Sequence, residues 1–122
     1  MADGDYTESS GRSAARQLLT AAHPPTAIFA ANDLSALGVL AATRSLRLSV
    51  PGDISVVGFD NTTIAQLDFV GLSTIDYARQ EMGQRTLELL NSRITDPAQP
   101  ARTMILTPTL ITRTTTGPAQ TR

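Results

Sequence analysis

Residues 26–61 constrain the fold of this chain more than any other stretch of the sequence. Two apolar runs, 27–31 and 54–59, each end at a polar pair, and a helical pattern followed by a Pro-Gly turn separates them. Short runs that are apolar on both sides are typical of strands buried on both faces of a parallel sheet. The stretch therefore predicts a strand–helix–strand unit in an α/β fold, with a three-layer αβα arrangement and a mainly parallel sheet.

The two polar pairs are Asn32-Asp33 and Asp60-Asn61. In open parallel sheets ligands bind at the carboxyl ends of the strands, so we expect a small-molecule site there. Asp60 is the first candidate because its carboxylate can accept hydrogen bonds from a polyol, and Asn32 is the second because its amide both donates and accepts. The alternatives are structural: Asp60 caps the turn that follows it, and Asn32 or Asp33 caps the next helix.

Helical spacing of apolar residues predicts three helices, at about 9–22, 34–46 and 79–93. Thr7, Ser9 or Ser10 is expected to cap the first. The residues expected to face the core are Leu34, Leu37, Leu40 and Ala41 in the second helix, and Met82, Thr86, Leu87, Leu89 and Leu90 in the third. Gly38 lies inside the second helix, where glycine costs about 1 kcal/mol relative to alanine, so we expect a close approach to the sheet or to another chain.

The remaining segments are shorter or less regular. Residues 62–67 are predicted as a helical turn and 73–75 as a short extended piece. Residues 102–113 are β-branched and extended, and Pro108 places that strand at an edge or at a bulge because proline cannot donate to a ladder. The polar residues 114–122 are predicted to form a mobile tail, of which 119–122 are disordered.

Composition excludes several classes of function. The chain has no cysteine, one histidine (His23, in a loop) and a net charge of −1, and none of its ten basic residues is a lysine. A phosphoacceptor site would need a lysine and an acidic pair. A dinucleotide site would need a glycine-rich turn, and most catalytic triads need a histidine beside a nucleophile. We therefore predict no enzyme activity, no metal and no cofactor. No apolar run reaches the ~18–20 residues of a membrane span.

Five segments in order carry a family resemblance. They are ADGDYTESSG, PTAIFAANDLSALGVL, LRLSVPGDISVVGFDN, LSTIDYARQEMGQRTLELL and LTPTLITRTTTGP. Together they resemble the C-terminal half of the effector domain of LacI/GalR-type bacterial repressors. The resemblance implies a partial type I periplasmic-binding-protein-like fold over residues 1–118, with the N-terminal lobe and the helix-turn-helix headpiece outside this chain.

The resemblance also implies partners and a location. We expect a small-molecule effector (a sugar or a nucleoside) in a cleft between two lobes, a homodimer, and operator DNA bound only through the headpiece, in the cytoplasm and without a membrane. Helix two with Gly38 and residues 62–69 are the expected dimer face. The alternative is a periplasmic sugar-binding protein of an ABC transporter, which shares the Val-Gly-Phe-Asp strand end.

Residue by residue, the resemblance adds two ligand candidates, Tyr6 and Tyr77, and supports Asp60. Asp60 matches an aspartate that hydrogen-bonds the effector in the family, and Tyr6 falls where an aromatic often stacks on a sugar face. Tyr77 stands where family members often carry a polar residue such as glutamine, which leaves the effector class open. Arg79 either binds an acidic effector or pairs with Asp76 or Glu81, and we favour the salt bridge.

Overall fold

The computed structural model describes residues 2–119, and its centre is a four-stranded sheet. The strands are β1 (Ala27–Phe29), β2 (Ser55–Phe59), β3 (Ser73–Asp76) and β4 (Thr109–Ile111), in that spatial order. The pairs β1–β2 and β2–β3 are parallel, and β4 runs antiparallel to β3. The predicted α/β fold with a mainly parallel sheet is confirmed, and the short extended piece at 73–75 is an inner strand of the sheet.

Three helices accompany the sheet: α1 (Glu8–Leu19), α2 (Asp33–Ser45) and α3 (Arg79–Thr95), together with a 3₁₀ turn at Ile64–Gln66. Thr7 caps α1 by accepting a hydrogen bond from Ser10 N, and Asn32 caps α2 through Ser35 N. Both side chains satisfy backbone donors that a helix start leaves unpaired. Within residues 2–119, none of these helices is long and apolar enough to span a membrane.

Two glycines bring α1 and α2 into close contact. A Cβ on Gly38 would collide with the carbonyl oxygen of Glu8, and one on Gly11 with that of Ser35. The close approach expected of Gly38 therefore exists, but its partner is α1, not the sheet or another chain.

The core face predicted for α2 is confirmed at Leu40, which packs against the buried core, and is otherwise wrong. Leu34 is exposed, and Leu37 and Ala41 are only partly buried. The apolar side chains that α2 buries are small: Ala36, Val39 and Ala42. Because α2 packs backbone to backbone against α1, only small residues fit in that contact, and the leucines lie outside it.

The first strand is not buried on both faces as predicted. β1 is an edge strand of the described sheet, with Ala27 exposed and Phe29 63% exposed. By contrast Val56 in β2 and Ser73 and Thr74 in β3 are fully buried. Pattern alone identified β1 as an apolar strand but not its position in the sheet.

The third helix buries none of its side chains against residues 2–119. The predicted inward set Met82, Thr86, Leu87, Leu89 and Leu90 is therefore wrong for the described chain; Leu89 alone among these is partly covered. The polypeptide passes from β3 to α3 through Ala78, which has the left-handed conformation. Residues 96–108 then lead from α3 back to β4.

The segment after β4 is anchored, which contradicts the predicted mobile tail for its first residues. β4 is an edge strand as expected, though it covers only three residues. Thr115 is buried, accepts a hydrogen bond from Ser73 N at 2.8 Å and donates to Val56 O at 2.7 Å. The predicted disordered stretch 119–122 lies outside the described residues except for Ala119.

Candidate functional site

Asn32 and Asp60 lie at the same edge of the sheet. β1 and β2 are parallel with Phe29 opposite Val57, so the residues after both strands emerge at the carboxyl edge. Asn32 begins α2 and Asp60 begins the loop to the 3₁₀ turn. The strand–helix–strand unit predicted from the sequence thus places both candidates where a parallel sheet offers a site.

Asp33 is buried beneath this edge and has a structural role. Its side chain is 1% exposed, and it accepts hydrogen bonds from Thr62 N (2.7 Å), Thr62 Oγ1 (2.8 Å) and Thr74 Oγ1 (2.6 Å). A buried carboxylate needs such partners. Asp33 therefore joins the start of α2 to the loop after β2 and to β3, as a scaffold residue.

Asn32 uses its amide within the chain. Its oxygen caps α2 at 2.8 Å from Ser35 N, and its nitrogen donates to Tyr6 O at 3.0 Å. The capping interpretation is thus confirmed. One N–H and one lone pair of the amide are left for another partner, so contact with a ligand stays a prediction.

The carboxylate of Asp60 accepts no hydrogen bond from residues 2–119, and the residue has positive φ (114°). The 3₁₀ turn at Ile64–Gln66 begins after Thr63 and has no side-chain cap. The capping alternative for Asp60 is therefore wrong. Burial, and then the charge of Asp33, raise the pKa of Asp60, and the Arg79 guanidinium opposes that rise.

A polar, open cleft of about 700 Å³ lies beside Asp60. Its polar lining comes from the loop after β2, the end of β3 and the first turns of α3: Asp60, Asn61, Gln66, Asp76, Arg79, Gln80, Glu81, Gln84, Arg85 and Glu88. Such a wall offers many hydrogen-bond acceptors and donors for a polar small molecule. Among residues 2–119, no group of three acidic or histidine side chains is placed to hold a metal ion.

The salt bridge predicted for Arg79 is wrong. No carboxylate of residues 2–119 lies within 4.0 Å of its guanidinium, whereas Glu81 pairs with Arg85 at 3.6 Å and Glu88 with Arg85 at 3.1 Å. Glu81 lies one helical turn before Arg85 and Glu88 about one turn after it, so both reach it at usual helix spacing. Arg79 is left facing the cleft.

Two residues outside the predicted ligand set, Asn61 and Arg113, organise the wall of the cleft. Arg113 Nη2 donates to Asn61 Oδ1 at 2.8 Å, and Asn61 Nδ2 donates to Asp76 Oδ2 at 2.8 Å. Asp76 Oδ1 in turn accepts from Ala78 N at 2.8 Å. The bonds from Asn61 and Ala78 lower the pKa of Asp76 against the effect of burial, and Arg79 adds to the lowering.

Neither of the two tyrosine candidates lines this cleft. Tyr6 is 65% exposed and lines an apolar cavity of about 550 Å³ together with Phe29 and Leu18. Tyr77 stacks on Phe59 with ring centroids 5.4 Å apart and lines a smaller cavity beside Met82 and Met104. Of the four predicted ligand residues, Asp60 alone lines the polar cleft in the described chain. The ligand roles of Tyr6 and Tyr77 stay predictions.

The arrangement has close counterparts among known proteins. Residues 1–116 match the model of the periplasmic binding protein-like domain. The chain belongs to this family. The transcriptional repressor PurR of Pectobacterium atrosepticum is 38% identical over 110 residues, which are 90% of this chain and 32% of that protein.

Solved structures agree with this assignment. A LacI family regulator from Enterococcus faecalis V583 with bound ribose superposes with a TM-score of 0.89 at 30% identity, over 97% of this periplasmic binding protein-like chain and 43% of that one. The complex of the regulator CelR with cellobiose gives 0.85 at 34% identity, over 92% of this chain and 34% of that one. The chain spans about a third of the length of PurR.

These proteins confirm the resemblance to LacI-type regulators that the sequence motifs indicated. Each is named as a regulator of transcription, which favours that interpretation over the periplasmic transport protein. None of the three is named as an enzyme. The periplasmic binding protein-like domain of this chain is accordingly a fragment of an effector-binding domain of the LacI type.

Proposed function

We propose that this chain senses a small polar effector for a LacI-type transcriptional repressor. The observation that supports this most strongly is the carboxylate of Asp60, which accepts no hydrogen bond from the described part of the chain and lines an open polar cleft at the carboxyl edge of the sheet. A free acceptor at this place suits the hydroxyl groups of a sugar, since hydrogen bonds to an ionised group are stronger than those to a neutral one.

The charge of the cleft supports an uncharged effector. Four carboxylates line it (Asp60, Asp76, Glu81 and Glu88) against two guanidinium groups, Arg79 and Arg85. Arg85 is already engaged by Glu81 and Glu88, so Arg79 is the one cation of the described cleft left to meet a ligand. An anionic effector would face net repulsion, whereas a neutral polyol would not. The related regulators named above were solved with ribose and cellobiose.

The parent protein is proposed to complete the cleft and the DNA-binding unit. Residues 1–118 form part of a two-lobed domain, and the exposed apolar side of α3, with Leu87 and Leu90, packs on the other lobe. Operator DNA binds to a helix-turn-helix headpiece in the cytoplasm. Effector binding then shifts the equilibrium between two arrangements of the lobes. The size of that shift is set by the difference between the effector's affinities for the two arrangements.

A homodimer is proposed to form through one apolar patch, defined by Leu34, Ile64, Leu67 and Phe69. All four are exposed, and Phe69 is 86% exposed. Asp33 bonds to Thr62, so the first turn of α2 lies against the segment that carries the other three. Apolar side chains exposed together are typical of an interface.

Calorimetric titration of the full-length regulator that carries this domain tests the proposal. Ribose, cellobiose and ribose 5-phosphate are compared, first with the unaltered protein and then with Asp60→Asn. We expect one of the neutral sugars to bind and Asp60→Asn to weaken it at least tenfold while operator affinity without effector is unchanged. Asp96→Asn is the matched control, because Asp96 is exposed, lies outside the cleft lining and keeps its acceptor oxygen for Ala98 N. Tighter binding of the phosphorylated sugar would contradict the neutral-effector proposal.

A further inference from the structure

The side-chain amide of Asn61 has its orientation dictated by its two partners. Arg113 can only donate and the ionised carboxylate of Asp76 can only accept, so the amide oxygen must face Arg113 and the nitrogen Asp76. Arg113 is itself held, because its Nη1 donates to Leu72 O at 2.6 Å. Asn61 thus sits in a chain of four hydrogen bonds that ends at Ala78 N.

These hydrogen bonds connect three segments that are distant in sequence. Asn61 belongs to the loop after β2, Asp76 ends β3, and Arg113 follows β4. Between Asp76 and β4 the polypeptide leaves the sheet, forms α3 and returns. Asn61 therefore ties the point where the chain leaves the sheet to the point where it comes back.

The same place carries backbone conformations that need support. Asp60, Asn61 and Ala78 have positive φ (114°, 48° and 57°), although none is a glycine. Such conformations persist only where the surrounding contacts enforce them. Asp60 N donates to Ile75 O of β3 at 2.9 Å, and Ala78 N donates to the Asp76 carboxylate. Asn61 is held by its two side-chain bonds and by a weaker bond from its N–H to Thr74 Oγ1 at 3.4 Å.

We propose that Asn61 is a positioning residue for effector binding: by joining Arg113 to Asp76, it holds Asp60 and the first turn of α3 in the geometry of the cleft. The inference rests on the proposed function of the cleft. Asn61 acts through its neighbours, since its amide oxygen and one N–H are already used within the chain. A shift of α3 relative to the sheet first moves Asp76, at one end of this series of hydrogen bonds. Asn61, which is bonded to Asp76, then passes the displacement to the adjacent Asp60.

The test uses the full-length regulator with Asn61→Ala, Asn61→Asp and the control Asn91→Ala. Asn91 is exposed on α3 and its side chain makes no hydrogen bond within residues 2–119. Carboxyl ¹³C NMR titration without ligand gives one readout, and calorimetry with ribose and cellobiose gives the other. In Asn61→Ala we expect the pKa of Asp76 to rise and that of Asp60 to move towards its ordinary value, since its carboxylate turns to solvent.

We expect at least a tenfold loss of sugar affinity in Asn61→Ala and no change in Asn91→Ala. Asn61→Asp keeps an acceptor for Arg113, so we expect this variant to fold. Its new carboxylate lies opposite that of Asp76 and repels it. We therefore expect the same loss of sugar affinity and a larger rise in the pKa of Asp76 than in Asn61→Ala. If Asn61→Ala does not fold, Asn61→Asp decides the question alone.

Two negative results are distinguishable. A variant that alters the titration of Asp76 while leaving Asp60 and the sugar affinity unchanged overturns the positioning role. If the unaltered protein binds neither sugar, the proposed function fails, and the titration of Asp60 in the variants still decides whether Asn61 positions it.

Discussion

The carboxylate of Asp33 lies 2.6 Å from the hydroxyl of Thr74, 41 residues further along the chain. Both side chains are buried, and the other carboxylate oxygen of Asp33 accepts two hydrogen bonds from Thr62. One side chain thus connects α2, the loop that carries Asp60 and β3. The placement of the candidate site depends on this connection.

Replacing Asp33 should destabilise the protein strongly. Asp33→Ala leaves the partly buried N–H of Thr62 and two hydroxyls without their acceptor, for which we expect a loss of roughly 2–4 kcal/mol in the free energy of unfolding. Asp33→Asn keeps the shape, and the threonine hydroxyls can turn to accept, so its loss should be smaller, about 1 kcal/mol. Denaturant unfolding of the full-length regulator measures both. Equal stability of Asp33→Ala and the unaltered protein would contradict the scaffold role.

Gly38 and Gly83 should respond in opposite ways to the same substitution. Both are helical, so alanine removes a helix-propensity cost of up to about 1 kcal/mol at each. At Gly38 the new Cβ collides with backbone of α1, whereas at Gly83 nothing lies within 4 Å. We expect Gly38→Ala to lower the melting temperature and Gly83→Ala to raise it slightly or leave it unchanged. A stabilising Gly38→Ala would show that α1 and α2 are not in close contact in solution.

These cases show what could be predicted from the sequence. The period of apolar residues located the helices and most strands within a few residues, because periodicity reflects local backbone geometry. Asn32 as a helix cap followed from the same local pattern. The buried face of α2 could not be predicted from the local pattern, because this helix is apolar over most of its surface. Which face is buried depends on the fit of Gly38 against α1.

Contacts between distant segments were the main omission. Arg113 and Asn61 are 52 residues apart, and no spacing rule connects them. The pattern of α3 likewise identified its apolar positions but not what covers them, and within residues 2–119 nothing buries them. Asp60 could be singled out because a carboxylate directly after a buried parallel strand has a known position in space.

As the pH is lowered, effector affinity should begin to fall at a higher pH than it would if Asp60 had the pKa of an ordinary aspartate. The ionised form of Asp60 accepts the effector hydroxyls. Burial, and then the charge of Asp33, raise the pKa of Asp60 above that of an ordinary aspartate, so protonation removes the acceptor at a higher pH than usual. The pKa of Asp76 is lowered, so Asp76 stays ionised over the same range. Calorimetry from about pH 7 to pH 4 should show affinity lost as pH falls. Asp60→Asn should bind weakly with a much flatter profile; an equally steep profile in that variant would assign the titration to another group.

A charge placed in the apolar patch should separate the dimer. Phe69→Glu puts a carboxylate where the patch of Leu34, Ile64, Leu67 and Phe69 meets its copy, and burying an unpaired charge costs several kcal/mol. We expect the full-length regulator to sediment as a monomer at micromolar concentration and to lose operator affinity, because two headpieces no longer bind together. Ala21→Glu is the control, since Ala21 is exposed just after α1 and outside the patch. A Phe69→Glu protein that remains dimeric, with Ala21→Glu unchanged, would place the interface elsewhere on the molecule.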